Sequence, residues 1–492
     1  MTPDTAVSTP SKAPAPAKPV TVKRYRAPVL FLAAMAAGLI VSQIPIASLG
    51  RDAHITFSLL IFLLVLWVGE VLPIGISAVI FCMALVIFLG KRMPTTVVFS
   101  GFTSPALWLT LGAFLLGEAA VETGVVYRIA YLTMRLGKAS HTRVLIFIWV
   151  TGAILGLLVP SGTVRTVMFI PIIVAIVKAY KAPSDSKFAA NLLLHVFWGN
   201  HLGALLWYTG VTQTPQIMAM LKSVTGYGPS YLVYVAWNII PCMVFGVCLF
   251  FIIQWIMPPE KNITQAQELD VLDRKLAEMG KMSADEWTAL IFFTAAVILW
   301  GTEPFHHIDT AWVALGLGGL LFMPGVGVLN KGALGKINWD IMLLMAVAIS
   351  FTGIMKEVKL DIWVVQQILT PILNPFIRFG NCGLSFGLAI IAGLLHFILS
   401  AAMGETALLA PIVLKYAHVM GYNTIIAALV TLRAELLINF FPYQGLPLII
   451  LWGTGYMDMR KCLRSFSVTS AFVIVWLVAM TPVWEWTIKL VK

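Results

Sequence analysis

Long apolar runs, nearly free of charge, recur from residue 27 almost to the last residue. They cover 27–50, 55–69, 71–90, 93–117, 144–164, 188–221, 223–259, 287–302, 308–326, 338–356 and a final stretch near 465–488. A hydrocarbon core about 30 Å thick is crossed by ~20 helical residues, and inside it backbone N–H and C=O groups must find partners within the protein. The chain therefore reads as an all-α polytopic membrane protein. Composition agrees, with 59% hydrophobic and 11% charged residues against roughly 25% charged in ordinary globular domains. A secreted domain, a nucleic-acid binder and most soluble enzymes are excluded. The formal charge of +11 is read as cytoplasmic topology signal rather than affinity for nucleic acid. Five cysteines (Cys82, Cys242, Cys248, Cys382, Cys462) form no CxxC motif and no disulfide framework, and read as buried free thiols.

Residues 1–26 are rich in Pro, Ala, Ser and Thr, then basic, and read as a disordered cytoplasmic tail. The apolar run that follows exceeds a signal-peptide core of about 7–15 residues and is expected to be the first span. Segment 258–286 is the long hydrophilic interruption, with mixed charges suited to a solvated, cytoplasmic linker helix. It separates two transmembrane units, 27–257 and 287–492. Arg460-Lys461-Cys462-Leu463-Arg464 is a basic loop expected in the cytoplasm. That places the C-terminus outside and makes the number of crossings odd. Runs 188–221 and 223–259 are each too long for one simple span.

The two units carry traces of a repeat. Pro160-Ser161-Gly162-Thr163-Val164-Arg165-Thr166 with Pro171 beyond aligns with Ser400-Ala401-Ala402-Met403-Gly404-Glu405-Thr406 with Pro411 beyond, 240 residues later. Glu122 before Gly124-Val125 matches Glu357 before Lys359-Leu360 at an offset of 235. Tandem inverted copies are a common transporter plan.

A small-residue turn opening a half-helix at mid-membrane has a physical use. Its carbonyls and hydroxyls coordinate Na+, and the half-helix N-terminus presents N–H groups to an anion. Ser161-Gly162-Thr163 fits that use and equally fits a plain N-cap with a glycine kink. Arg165 and Glu405 take equivalent repeat positions with opposite charge. An ionised group at this depth costs ~2.5–3.5 kcal/mol on insertion scales, so it calls for a partner or a wet site. Either they meet near the pseudo-twofold axis, in a substrate site or as a structural pair remote from substrate, or Arg165 grips a substrate carboxylate bidentately. Arg433 is read as snorkelling at a helix end, with a second carboxylate contact as the alternative; Glu435 follows it. Glu118 and Glu122 lie one turn apart, placed for a proton relay or a helix-end role. His195 and His201 lack the spacing of a shared metal site and read as core or cavity residues. His306-His307 beside Asp309 reads as a solvated loop, with a weak metal site as the alternative.

Several stretches resemble the divalent anion/sodium symporter family. Ser161 through Pro171 is similar to its Ser-Asn-Thr signature, which opens a helix reaching a proline ten residues on. Glu70-Val71-Leu72-Pro73-Ile74-Gly75 resembles its Glu-Ala-Leu-Pro-Leu-Pro stretch, Leu111 to Leu116 its Gly-Gly-Phe-Leu-Leu pattern, and Asn338-Trp339-Asp340 the Trp-Asp that begins a central helix. The resemblance covers roughly 55–488. It implies two inverted repeats with helical hairpins and discontinuous helices, an elevator-like motion, a homodimer, and transport of di- or tricarboxylates or sulfate, commonly with Na+. Carried onto this chain, the first signature falls on Ser161, Gly162 and Thr163 and the second on Ala401, Ala402 and Met403. The unwound stretches fall on Thr212, Gln213, Thr214, Pro215 and Gln216, and on Phe441 to Gly445 with Tyr443 and Gln444. Substrate contacts are expected among these residues with Arg165 and Glu405, and Na+ at Ser161, Gly162, Thr163 and Thr212. Gly162 replaces the family's asparagine, and Ala401-Ala402-Met403 retains no side-chain oxygen, so proton coupling and exchange stay open.

The combined reading is a secondary active transporter of small anions, di- or tricarboxylates above all, Na+-coupled, working by alternating access in a bacterial-type inner membrane. It needs no cofactor beyond Na+ as coupling ion. No GxxxxGK[ST] loop is present to use ATP. The alternative is a proton-coupled or exchange-type carrier of inorganic anions such as sulfate. A membrane-embedded enzyme is more remote, since it needs clustered acid, base or metal residues and the chain offers scattered singles.

Overall fold

A computed structural model of the protein describes residues 26–46, 48–137, 140–260, 270–399 and 402–491. The proposed tail (save Arg26), part of the linker and Ala401 lie outside the described residues. Among the described residues the fold is helical throughout, and ten helices are long and apolar enough to cross a bilayer.

In the first half, α1 (Arg26–Gln43), α2 (Arg51–Val68), α3 (Ile74–Leu89), α4 (Pro105–Glu122) and the amphipathic α5 (Val125–Leu136) precede a hairpin of α6 (His141–Leu158) and α7 (Gly162–Ala179). Then come α8 (Lys187–Leu206), a break at 207–212, α9 (Gln213–Thr225) and α10 (Tyr231–Ile256). Within the hydrophilic segment lies α11 (Asp270–Met279), which packs on α5. Arg135 pairs with Asp273 at 2.6 Å, while Arg128 reaches Glu286 at 2.7 and 3.0 Å.

The second half repeats the order: α12 (Ala284–Gly301), α13 (Thr310–Leu320), α14 (Trp339–Glu357), α15 (Leu360–Ile377), and a hairpin of α16 (Gly380–Leu395) and α17 (Ala402–Val419). It closes with α18 (Thr424–Leu437), a break at 438–445, α19 (Leu446–Trp452) and α20 (Met459–Val491). The two offsets read from sequence reappear in the backbone. Helices α7 and α17 are both 18 residues long and begin 240 residues apart, each with its interior proline, Pro171 or Pro411, at the same position. The turn after α4 uses a left-handed residue, Gly124 at φ 86°, and the turn after α14 uses Lys359 at φ 61°, 235 residues on. Cross-packing is reciprocal: α4 lies on α13 as α14 lies on α3, and α7 lies on α19 as α17 lies on α9.

Two expectations about long runs resolve differently. Run 188–221 is a broken helix, with helical bonding given up over 207–212 around Gly210. Run 223–259 holds one continuous 26-residue helix, Tyr231–Ile256, about 39 Å long at 1.5 Å per residue and so long enough to cross a bilayer with some tilt.

The hairpin arm α6 meets α8 through glycine on glycine. A Cβ on Gly152 would stand 2.4 Å from the Gly199 carbonyl oxygen, and one on Gly156 would stand 2.5 Å from the Gly203 Cα. Such small-xxx-small spacing lets backbones touch where lipid offers no hydrophobic drive. On one side of the molecule Lys461 donates to the Asp185 carbonyl, and Glu260 accepts from the N–H groups of Lys187 and Phe188. Residues 460–464, expected as a loop, are helical and open α20; they share one face with the start of α8 and the end of α10.

Candidate functional site

Both hairpins end inside the helical body, and both broken helices open beside them. A cavity of ≈ 600 Å³ lies between these four features. Its floor includes Ser161, Gly162, Thr163 and Arg165 from the first hairpin and Thr212 and Gln213 from the first break. Ala402 and Met403 enter from the second hairpin, and Tyr443 and Gln444 from the second break. The first turn of α9 carries Thr214, Pro215 and Gln216 behind that wall, buried and away from the cavity surface. Glu405 is likewise buried one turn below Ala402, outside the lining.

The motif stretches that flank the cavity come together. Gly75 donates its N–H to Asp340 Oδ1 at 2.8 Å, fixing the end of the Glu70–Gly75 stretch to the start of α14. Glu70, Ile74, Asn338 and Ile341 thereby form one wall.

Arg165 is 0% exposed and spends its donors on the protein. Nε donates to Asn200 Oδ1 at 2.5 Å, and Nη1 to the carbonyls of Val159 at 2.5 Å and Gly210 at 2.8 Å. The guanidinium thus ties hairpin tip, α8 and the first break into one unit, with Nη2 turned toward Gly162 and a longer 3.4 Å contact to the Asn200 carbonyl. Asn200 Nδ2 in turn donates to the Gly162 carbonyl at 2.9 Å and to Thr166 Oγ1 at 2.8 Å. The expected meeting of Arg165 with Glu405 does not occur; Glu405 Oε2 lies 2.6 Å from His396 Nδ1. Each charge satisfies itself within its own repeat, so the pseudo-twofold axis carries no ion pair between them.

Arg433 also departs from expectation. It is fully buried, donating to Asn238 Oδ1 and to the Leu429 carbonyl, with its guanidinium 5.0 Å from the Trp484 ring centroid. Packing against α10 and α20 holds it there in place of a helix-end position. Glu118 and Glu122 both take Lys336, at 2.9 and 2.5 Å. His195 is a core residue accepting from Trp149 Nε1, and His201 lines the cavity. Among the described residues no group of His, Cys, Asp and Glu has the layout of a metal centre.

For an alkali cation, the oxygens that remain at the first tip are the hydroxyls of Ser161 and Thr163 and the tip carbonyls. The Gly162 carbonyl already accepts from Asn200 and Thr166. Thr212 Oγ1 faces Gln213 and the Met403 sulfur at 3.4 and 3.3 Å. For an anion, the arrangement supplies the opening turns of α7 and α17, whose first N–H groups lack intrahelical partners, beside a buried guanidinium; in α9 the Thr214 N–H already bonds the Val211 carbonyl and Pro215 has none. Sequence reasoning missed Asn200, which is hidden in an apolar run between Gly199 and His201, and His396, which has no periodic pattern around it.

Hairpins that end inside a body of membrane-length helices, broken helices that face them and a polar cavity between two structural repeats define a membrane transporter. The family described as "Sodium:sulfate symporter transmembrane region" matches residues 27–490, and the chain belongs to it. Relatives include the putative malate transporter YflS of Bacillus subtilis, 26% identical over 68% of this chain and 71% of its own. The chloroplastic dicarboxylate transporter 1 of Arabidopsis thaliana is 23% identical over 91% of this chain and 81% of its own. Among solved structures, the YdaH transporter of Alcanivorax borkumensis superposes with a TM-score of 0.56 at 15% identity, covering 80% of this chain and 87% of its own. That likeness concerns the fold alone.

Proposed function

We propose that this chain carries small di- or tricarboxylates across an inner membrane of bacterial type by secondary active transport, with Na+ as coupling ion at Ser161 and Thr163. The observation that carries the reading is the cavity itself, in which the N-termini of α7 and α17 meet beside the buried cation of Arg165. Such a site favours a compact anion with more than one acceptor group. The names of the malate and dicarboxylate relatives support the substrate class, and the family's description supports Na+. Alternating access would carry Ser161–Thr163 and Ala402–Met403 together past the wall formed by α3, α4 and α14, in a homodimer that supplies a fixed frame. The basic opening of α20 at 460–464 would keep its face cytoplasmic, the N-terminus with it, and put the C-terminus outside. Uptake of labelled succinate, citrate and sulfate into proteoliposomes under an inward Na+ gradient tests the reading. Succinate or citrate accumulation that collapses when K+ replaces Na+ is expected. Accumulation of sulfate alone, or of none of the three, refutes the substrate class.

A further inference from the structure

The second hairpin tip encloses an acidic cluster that the transport reading leaves unused. Glu405 on α17 and Glu435 on α18 are 0% and 1% exposed, and His396 at the tip is 1% exposed. Oε1 of each glutamate and Nε2 of His396 are buried with no hydrogen-bond partner. Glu435 and His396 line the cavity.

No lysine or arginine forms an ion pair with either glutamate among the described residues. Arg433 is turned to Asn238, Leu429 and Trp484, and Arg165 to Asn200, Val159 and Gly210. Lys415 on α17 is taken by Asp361 of α15 at 3.0 Å. His201, across the cavity, bonds the Phe197 carbonyl, and Lys336 is held by Glu118 and Glu122. Glu70 adds a further carboxyl to the lining. Two ionised carboxylates, desolvated and near each other without a counter-charge, strongly disfavour one another.

The hydrogen bonds say which one gives way. Thr406 Oγ1 contacts both the Ala402 carbonyl, at 2.9 Å, and Glu435 Oε2. A hydroxyl owns one proton, so it cannot donate to both. Both contacts are hydrogen bonds when Glu435 is a carboxylic acid that donates to Thr406, while Thr406 donates to Ala402. Glu405 then remains the acceptor of a His396 Nδ1–H.

We propose that Glu405, Glu435 and His396 form a proton-binding site at the second hairpin tip, that Glu435 holds the proton, and that a substrate anion in the cavity tightens its hold. The step is a simple addition: at a pH where the free protein has lost that proton, one from water joins the Glu435 carboxylate as the anion arrives and returns to water when it leaves. An ionised Glu435 would repel the anion, so anion and proton favour each other's binding by equal factors. The anion half of this statement rests on the transport reading above; the proton half does not.

The test separates the two. Infrared spectroscopy of the purified protein in lipid is expected to show a protonated buried carboxyl band at about pH 7, sensitive to D2O, lost in Glu435→Gln and kept in Glu405→Gln. Absence of that band, or its persistence in Glu435→Gln, overturns the proposal. Should Glu435→Gln fail to fold, Glu435→Asp serves: the band must shift, and an unshifted band overturns the assignment. Calorimetry of succinate binding in two buffers of different protonation enthalpy, at a pH above the one at which the band fades in the free protein, is then expected to report uptake of up to about one proton, lost in Glu435→Gln. Succinate binding without proton uptake overturns the linkage. No succinate binding, with the band present, removes the substrate reading and leaves the proton site standing.

Discussion

Replacing Asn200 by leucine removes a hub whose worth follows from its bonds. The side chain accepts from Arg165 Nε at 2.5 Å and donates to the Gly162 carbonyl and Thr166 Oγ1. A hydrogen bond to a charged group is worth about 1.5–3 kcal/mol and a neutral one about 1 kcal/mol. Their sum gives an expected loss of about 4 kcal/mol on denaturant-titrated unfolding in detergent micelles. The leucine is close in volume, so little of this comes from packing. Much of the cost is the guanidinium left short of a partner in a buried place. Removing that charge as well, in Arg165→Met with Asn200→Leu, is therefore expected to return about 2 kcal/mol relative to additivity. A loss below about 1 kcal/mol for Asn200→Leu, or additivity within about 0.5 kcal/mol, would refute the claim that Asn200 and Arg165 act as one unit.

Arg433→Met is expected to lower unfolding stability while leaving substrate KM unchanged, because Arg433 faces Asn238 and Trp484 rather than the cavity; a raised KM at constant stability would contradict that placement. Gly156→Leu is expected to abolish folded protein on size-exclusion chromatography, whereas Gly316→Ala, with open space around its Cβ, is expected to be neutral or stabilising by up to about 1 kcal/mol. The Lys336 ammonium, in the short Lys331–Lys336 helix, is held above the ordinary lysine range first by Glu122 and then by Glu118. A raised folded-state value means the contact contributes fully below the ordinary lysine pKa and is lost as pH climbs through the raised one. The stability difference between wild type and Lys336→Met should accordingly stay constant from neutral pH up to the ordinary lysine range and vanish only above it. A difference already lost near neutrality would show that Lys336 is not held in this way.

Much of this architecture is legible before folding because membrane insertion writes span length and repeat spacing directly into the chain. The offsets of 240 at Ser161 and 235 at Glu122 mark true structural equivalences. What stays hidden depends on which atoms meet. Length alone does not distinguish the broken Lys187–Thr225 stretch from the continuous Tyr231–Ile256 helix. Equivalent positions suggest that Arg165 and Glu405 meet, yet each finds a nearer partner, Asn200 at 35 residues' distance and His396 at nine. Neither partner interrupts its surroundings enough to be noticed, since asparagine and histidine cost little hydropathy within an apolar run. Glu435 does interrupt its helix, but its link to Thr406 exists only once α17 lies on α18.

The glycine contact between α6 and α8 has a mechanical meaning. A joint faced with side chains slides by letting rotamers hop past one another; a joint of bare backbone has no such lubricant. With Gly152 and Gly156 seated on Gly199 and Gly203, a shear between these helices would drive carbonyl oxygens into Cα atoms. The alternating access proposed above would then carry α6 and α8 as a welded strut, and a pair of spin labels across them should report one unchanging distance with and without substrate.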